Sequence, residues 1–370
     1  MRPLRIVAPG AGVLAELRAA LAGGDALFVG APASDLPGEV EHRVALVVQT
    51  SGSTGRPKRV ALSADAVLAN AAASESALGG PGQWILALPT HYIAGLNVLT
   101  RSLAAGIDPV TVPSADDPTA HFTAQAFLDA VAQLTVPERF TSLVPAQLAT
   151  LLDDRAAAEA LARFGRVLVG GQTTPAALLE RATAAGVHVT RSYGSSETSG
   201  GVVYDGYPIG QTSVRIVDGE VQLGGPTIAE GYLHDPALTA ERFITDDGMP
   251  WFRTADTGTY QDGRLAIAGR LDDVIISGGI KVSLSAIEQL MHQNGFEDAV
   301  VVAKDDEKWG QVPVAFTISK ADPAPAVAAI EAALGPAARP QMRRGSAIPI
   351  LPSGKPDRLS LRVKAGLPEQ

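Results

Sequence analysis

Between residues 50 and 58 the chain reads Thr50, Ser51, Gly52, Ser53, Thr54, Gly55, Arg56, Pro57, Lys58, directly after the apolar run 44–48. Such an order places hydroxyls, glycines and two cations where a buried strand opens into a loop. A loop of that kind offers backbone N–H groups, hydroxyl donors and positive charge to a polyphosphate. Glycine lets the backbone come close to the ligand and take up unusual torsions. The GxxxxGK[ST] pattern of a Walker A loop is absent, so the phosphate chemistry belongs to another class.

The elements that must position this loop follow from the hydrophobic pattern. Over residues 44–200, short apolar runs at 44–48, 84–88, 109–112, 140–144 and 166–169 alternate with helical segments near 64–78, 96–105, 124–134, 146–152 and 175–185. Ser63 is placed to cap the first of these helices. Short apolar runs between helices predict an α/β fold with a mostly parallel, layered sheet covered on both faces. Beyond Gly200 the texture changes to short strands punctuated by Asp218-Gly219 and Asp262-Gly263, which are hairpin signals. The pattern predicts a small β-rich subdomain over about 206–268. From residue 271 a third pattern of strands and the helices 285–293 and 323–334 predicts a small α+β C-terminal domain. The expected division is therefore 1–270 and 271–370.

Composition narrows the class. A chain of 370 residues exceeds the size at which single cores stop growing. With 46% hydrophobic and 19% charged residues it reads as a globular enzyme. A net charge of −9 without a dense basic stripe argues against a nucleic-acid partner. Cysteine is absent, which excludes disulfides, a thiol nucleophile and cysteine-ligated metals. No uncharged apolar run reaches the roughly 18–20 residues that span a bilayer. The N-terminus has a basic start and an apolar stretch, yet Glu16 and Arg18 interrupt it, so a strand and the helix 13–21 are expected rather than a signal peptide. A cytoplasmic location without membrane contact is the expectation.

Five segments in order now bear on function: Thr50–Lys58; Tyr193-Gly194-Ser195-Ser196-Glu197-Thr198; Thr254-Ala255-Asp256-Thr257-Gly258; Gly269-Arg270-Leu271-Asp272-Asp273 with Ser277-Gly278-Gly279; and Pro352-Ser353-Gly354-Lys355. Together they resemble the adenylate-forming superfamily of acyl-CoA ligases, luciferases and peptide-synthetase adenylation domains. The resemblance implies an acid activated by ATP with Mg2+ and then passed to CoA. A carboxylate is a poor acyl donor, and attack on the α-phosphate supplies the leaving group that a thiol later displaces. It implies that Tyr193 stacks on adenine, Glu197 helps hold Mg2+ and Thr198 bonds the α-phosphate. One carboxylate suffices because Mg2+ keeps waters and bridges phosphates. Gly170, Gly171 and Gln172 would line the adenine and acyl pockets, with Ser195 and Ser196 beside them. Asp256 would grip the ribose, with Arg270 as a second ribose or phosphate contact. Asp272 would be an interdomain hinge, Lys355 the mobile catalytic lysine, and Gly278 and Gly279 the route for the CoA thiol.

Within that superfamily the chain is most similar to the o-succinylbenzoate–CoA ligases of menaquinone synthesis. The impression rests on Pro89-Thr90-His91-Tyr92-Ile93-Ala94-Gly95-Leu96 followed by Arg101, on 142–148, and on the serine-rich 195–201. A dicarboxylic acid is implied, with Arg101 holding the carboxylate that is not activated and His91 shaping the pocket mouth. Two readings stay beside it: an adenylation enzyme that loads a carrier-protein thiol, and a nucleotide-binding module without ligase chemistry. Two departures are visible. The phosphate loop begins near residue 50, where typical members carry a longer preceding region, so a compact form with less acyl-pocket wall is expected, and a homodimer is one way to cover exposed surface. Arg59 also stands where a glycine is usual.

Overall fold

The computed structural model describes residues 1–10, 12–33, 35–50, 58–117, 120–351 and 355–366. The chain divides into two compact units: Met1–Arg215 with Gln222–Thr254 and Tyr260–Leu265, and Ile216–Val221 with Ala255–Thr259 and Ala266–Gln370.

The first unit holds a seven-stranded sheet in the order Tyr207–Pro208, Gly200–Tyr204, Val189–Ser195, Arg166–Gly170, Arg139–Leu143, Gln83–Leu86, Val110–Thr111. The five strands from Val189–Ser195 to Val110–Thr111 pair in parallel, and the other two are antiparallel additions. Successive side chains on a strand point to opposite faces, and the burial follows that rule. Trp84, Leu86, Phe140 and Leu168 join one core cluster. Ile85, Ala87, Val167 and Val169 join another with Phe127, Leu148 and Leu161 from the helices of the far face. The mostly parallel sheet covered on both faces is thus as expected.

The N-terminal sixty residues do more than the sequence pattern shows. Arg2–Val7, Ala26–Val29, Glu39–Val40, Val44–Thr50 and Lys58–Ser63, with Gly231–Tyr232, form a six-stranded sheet of their own. The expectation of a chain with one sheet layer in this region is corrected: a second sheet is present. Its inner face shares a core with the seven-stranded sheet through the helices Val13–Leu21, Ala64–Leu78 and Ile93–Ala105. Ser63 caps the second of these by accepting from the Ala66 N–H, and Gly79 ends it with φ of 96°. Among the described residues, no helix is long and apolar enough to cross a membrane.

A five-stranded sheet contains Ser213–Val217, Glu220–Gly224, Met249–Gln261, Phe243–Asp246 and Arg264–Arg270. The segment read as a short strand at 251–253 is part of a 13-residue strand. The last sheet, in the second unit, orders Ile280–Ser283, Val274–Ser277, Gly310–Thr317 and Val300–Asp306, with Gln341–Arg344 beside Gly310–Thr317. Helices Leu284–Gln293 and Ala324–Leu334 cover one face through Ile287, Met291 and Ile330. Helix Arg358–Gly366 covers the other through Leu361 and Ala365. Arg358 fastens that helix by bonding both oxygens of Glu288 and the Val301 carbonyl.

Candidate active site

In the first unit the candidate residues gather where the parallel strands end, the edge at which open α/β sheets bind ligands. The strand Val189–Ser195 carries Tyr193 and runs into a one-turn helix Ser196–Thr198. Register slips between Tyr193 and Gly194. Gly194 has φ of 154°, and a Cβ there would run into the Gly200 carbonyl, so only glycine lets the strand bend away. Thr198 is fully buried and closes the turn. Its hydroxyl accepts from Ser195 N–H at 3.0 Å and donates to the Gly200 carbonyl at 2.7 Å, with the Ser195 carbonyl at 3.1 Å. The expected contact of Thr198 with an α-phosphate would require that hydroxyl to leave the turn. Ser196 is buried, whereas Ser195 Oγ is buried without a partner among the described residues. An unpaired buried hydroxyl is costly, and a ligand oxygen would satisfy it.

Glu197 stands half-buried on this turn. Its Oε1 accepts a bond from the Tyr232 hydroxyl at 2.9 Å. Burial first, and then the Glu197 charge, push the Tyr232 hydroxyl above its ordinary value, so it remains a donor. The backbone of Glu197 is also held, since its carbonyl accepts from Ala229 N–H at 2.9 Å. Ser199 Oγ donates to the Thr227 carbonyl at 2.8 Å. The same segment continues into Gly231–Tyr232, which pairs with Ala61 and Val60 on the strand leaving the phosphate loop. That strand therefore lies laced to the Glu197 turn.

Thr50 and Lys58 face each other in an antiparallel pair, so both arms of the loop are fixed. Ser51, Gly52, Ser53, Thr54 and Gly55, together with Arg56 and Pro57, lie outside the described residues. Lys58 Nζ sits 5.4 Å from the centre of the Tyr232 ring. Arg59, the next residue, points to the opposite face, as strand alternation requires, and pairs with Asp35 at 2.6 Å. Its charge is used there rather than at the loop.

Gly170 pairs with Ser192 at the end of its strand, and Gly171, with φ of 83°, and Gln172 follow beside that edge. Helix Ile93–Ala105 meets the turn through Asn97, whose Nδ2 donates to the Ser199 carbonyl at 2.8 Å. His91, just before this helix, stacks on Tyr92 with ring centres 4.1 Å apart. Burial holds its imidazole below the ordinary value, and Nδ1 has no partner among the described residues. Arg101 lies eight residues further along, about 12 Å by helical rise. It is 5% exposed, stacks over Trp84 at 5.0 Å and donates weakly to the Tyr204 hydroxyl at 3.4 Å. Tyr204 in turn bonds Ser74 Oγ at 2.7 Å. Burial pulls the Arg101 guanidinium below its ordinary value, and no carboxylate among the described residues opposes it.

The second unit holds the other candidates. Asp256 accepts from Arg270 Nη1 at 3.1 Å, and Arg270 also grips Asp272 through Nε and Nη2. The Asp272 hydrogen bond comes first among the causes that hold the Arg270 guanidinium above its ordinary value. Gly278 and Gly279, with φ of 57° and 83°, form the turn between Val274–Ser277 and Ile280–Ser283. A Cβ on Gly278 would approach the Trp309 ring to 2.7 Å. Lys355 is exposed at the base of a loop closed by the Ile350–Pro356 bridge and by Leu351 N–H bonding the Lys355 carbonyl at 2.8 Å. Pro352, Ser353 and Gly354 lie outside the described residues.

Among the described residues no three His, Asp or Glu side chains cluster as a metal cage. A divalent cation here would suit the other arrangement, one carboxylate oxygen completed by nucleotide phosphates and water. Glu197 fits, because only Oε1 is engaged among the described residues. The sequence pattern passes over Tyr232, Asn97 and Trp309; none sits in a motif rich in hydroxyl, glycine or charge, and only their spatial neighbours mark them.

Comparison with known proteins agrees with this arrangement. Residues 24–233 match the AMP-binding enzyme family, and residues 288–355 match the AMP-binding enzyme C-terminal domain. A probable 2-succinylbenzoate–CoA ligase of Mycobacterium tuberculosis is 38% identical over 90% of this chain and 88% of its own length. A 2-succinylbenzoate–CoA ligase of Salmonella typhimurium is 33% identical over 74% of this chain, which spans 58% of that protein. Among solved structures, E. coli MenE with bound OSB-AMS superposes with a TM-score of 0.70 at 25% identity, covering 92% of this chain and 76% of that one. The amide bond synthetase McbA from Marinactinospora thermotolerans, at 23% identity, shares the fold with a TM-score of 0.76 over 98% of this chain and 80% of its own. A strand-edge site laced to a phosphate-type loop, matched over both modules in their usual order, places this chain in the AMP-binding, adenylate-forming enzyme family.

Proposed function

We propose that this chain is an ATP-dependent acid–CoA ligase that works through an acyl-adenylate, with o-succinylbenzoate as its acid and o-succinylbenzoyl-CoA, for menaquinone synthesis, as its product. The observation that carries the reading is the lacing of the Lys58 strand to the Glu197 turn through Ala229 and Tyr232. That lacing brings a cation and a carboxylate to one strand edge, as charge neutralisation on a triphosphate requires. The acid assignment draws on the 2-succinylbenzoate–CoA ligases related to this chain. It also draws on Arg101, a buried cation for which a ligand carboxylate would be the missing partner.

In the first half-reaction a carboxylate oxygen of the acid attacks the α-phosphorus of ATP and pyrophosphate leaves. Thr50, Lys58 and the loop 51–55 take the phosphates. Tyr193, with Gly171 and Gln172, takes the adenine, and Asp256 with Arg270 takes the ribose. Bound Mg2+, held through Glu197, supplies charge neutralisation on the phosphates. Ser195 Oγ, Gly170 and His91 bound the acid, whose second carboxylate extends along the helix Ile93–Ala105 towards Arg101. Lys355 neutralises charge as the oxygen–phosphorus bond forms. In the second half-reaction the CoA sulfur attacks the acyl carbon, the thiol proton goes to solvent, and AMP leaves. Gly278 and Gly279 admit the pantetheine arm, which has no side chain to pass at those positions. Residues 271–370 act as a body turning about Asp272 between the two steps. The reaction is placed in the cytoplasm, where ATP and CoA are found together.

The test is pyrophosphate release with ATP and Mg2+ across o-succinylbenzoate, benzoate, succinate and a fatty acid, followed by addition of CoA. Release with o-succinylbenzoate alone and thioester only after CoA are expected. Silence with every acid would remove the ligase reading, and preference for the fatty acid would remove the acid assignment.

A further inference from the structure

Glu197 is the carboxylate on which the metal chemistry depends, yet it sits on a turn of three residues, too short to fix a side chain by itself. What fixes it comes from elsewhere in the chain. Tyr232 is 7% exposed, and its ring is wedged edge-on against Phe243 with centres 5.2 Å apart. Its backbone pairs with Val60. Lys58 lies two residues before Val60 on that strand and so on the same face, which sets its ammonium over the Tyr232 ring. The ring thus has little freedom, and its hydroxyl is delivered to one oxygen of Glu197.

We propose that Tyr232 is a positioning residue: its hydroxyl holds Glu197 Oε1 so that the second oxygen is the one offered to the divalent cation, while its ring ties that carboxylate to Lys58 at the end of the phosphate loop. The inference rests on the ligase reading above. A hydrogen-bond donor behind a metal-binding carboxylate fixes its orientation, and loss of such a partner weakens metal binding about 10–100-fold.

Tyr232→Phe keeps the ring, the Phe243 contact and the Lys58 contact, and removes only the donor. Binding of Mn2+ to the protein with α,β-methylene-ATP, followed by electron paramagnetic resonance, is expected to weaken about tenfold. Half-saturation by Mg2+ in pyrophosphate release is expected to rise equally, while Tm and metal-free AMP affinity stay at the wild-type level. Unchanged Mn2+ affinity, or an equal loss of metal-free AMP affinity, overturns the proposal. In a Glu197→Gln background, Tyr232→Phe should add no further loss of Mn2+ affinity, because the two act through one oxygen pair. Losses that multiply in the double variant would make Tyr232 merely structural. Wild-type protein that binds no Mn2+ with the nucleotide would overturn the ligase reading along with this inference, whereas normal wild-type binding with an indifferent Tyr232→Phe overturns this inference alone.

Discussion

Arg270 clasps Asp272 by two parallel hydrogen bonds, from Nε to Oδ1 at 2.7 Å and from Nη2 to Oδ2 at 2.8 Å. The same guanidinium reaches Asp256 Oδ1 at 3.1 Å. One planar cation therefore orients both the proposed ribose ligand and the proposed hinge. A lysine carries the charge but lacks the fork. Arg270→Lys is expected to weaken AMP binding roughly five- to tenfold through loss of charge-assisted bonds. Calorimetric titration with AMP checks this; an unchanged Kd would separate Asp256 from nucleotide binding.

Lys355 emerges from a loop whose base is pinned by the Ile350–Pro356 bridge. A point charge on a long stem serves a step in which negative charge gathers at phosphorus. Lys355→Ala is expected to slow adenylate formation by roughly a hundredfold or more. Thioester formation from supplied acyl-adenylate should keep near its normal rate. Single-turnover measurement of each half-reaction decides the matter, and equal losses would reject the role.

Arg101 is a buried cation supported by an aromatic face and a long hydrogen bond rather than by a carboxylate. Replacing such a group with an apolar one of similar length tends to be neutral or stabilising. Arg101→Met should therefore hold or raise the ligand-free Tm, by no more than about 4 °C. The same variant should raise KM for o-succinylbenzoate far more than for a monocarboxylic analogue. A large drop in Tm, or the same KM change for both acids, would leave Arg101 as a packing residue.

His91 gives a pH signature. Its folded-state affinity for a proton is lowered by burial from an ordinary value of 6.5. Above that value the imidazole is neutral in both folded and unfolded chains, and it contributes no slope. As pH falls through 6.5 the unfolded chain takes up a proton first, so stability drops until the lower folded value is reached. The Tm of the wild type should fall more steeply below pH 6.5 than that of His91→Gln. Parallel Tm profiles would remove the burial penalty from His91.

Legibility of the fold varies with the distance over which its contacts act. The helix Ala64–Leu78 is readable because its cap, Ser63, and its stop, Gly79, are adjacent to it. The parallel strands are readable because Val167, Leu168 and Val169 are buried on both faces and leave an unbroken apolar run. The six-stranded sheet is not, since one of its strands, Gly231–Tyr232, is only two residues long and comes from far along the chain. The strand Met249–Gln261 reads as short because Asp256, Thr257 and Gly258 interrupt its apolar pattern. Helix Arg358–Gly366 hides for the opposite reason: only Leu361 and Ala365, one turn apart, are buried in an otherwise polar stretch. In the site, motif chemistry draws attention to Glu197 and Lys58. Tyr232, 35 residues from Glu197, carries no such mark, and only the tertiary hydrogen bond reveals it.

The closed turn beneath Glu197 has a calorimetric consequence. Since Thr198 knits Ser195 and Gly200 together before any nucleotide arrives, docking AMP need not freeze that backbone. The entropic penalty of association should then originate chiefly in the ligand and in side chains, so that selectivity between competing acids is settled along the helix bearing Arg101 instead of at the adenosine end.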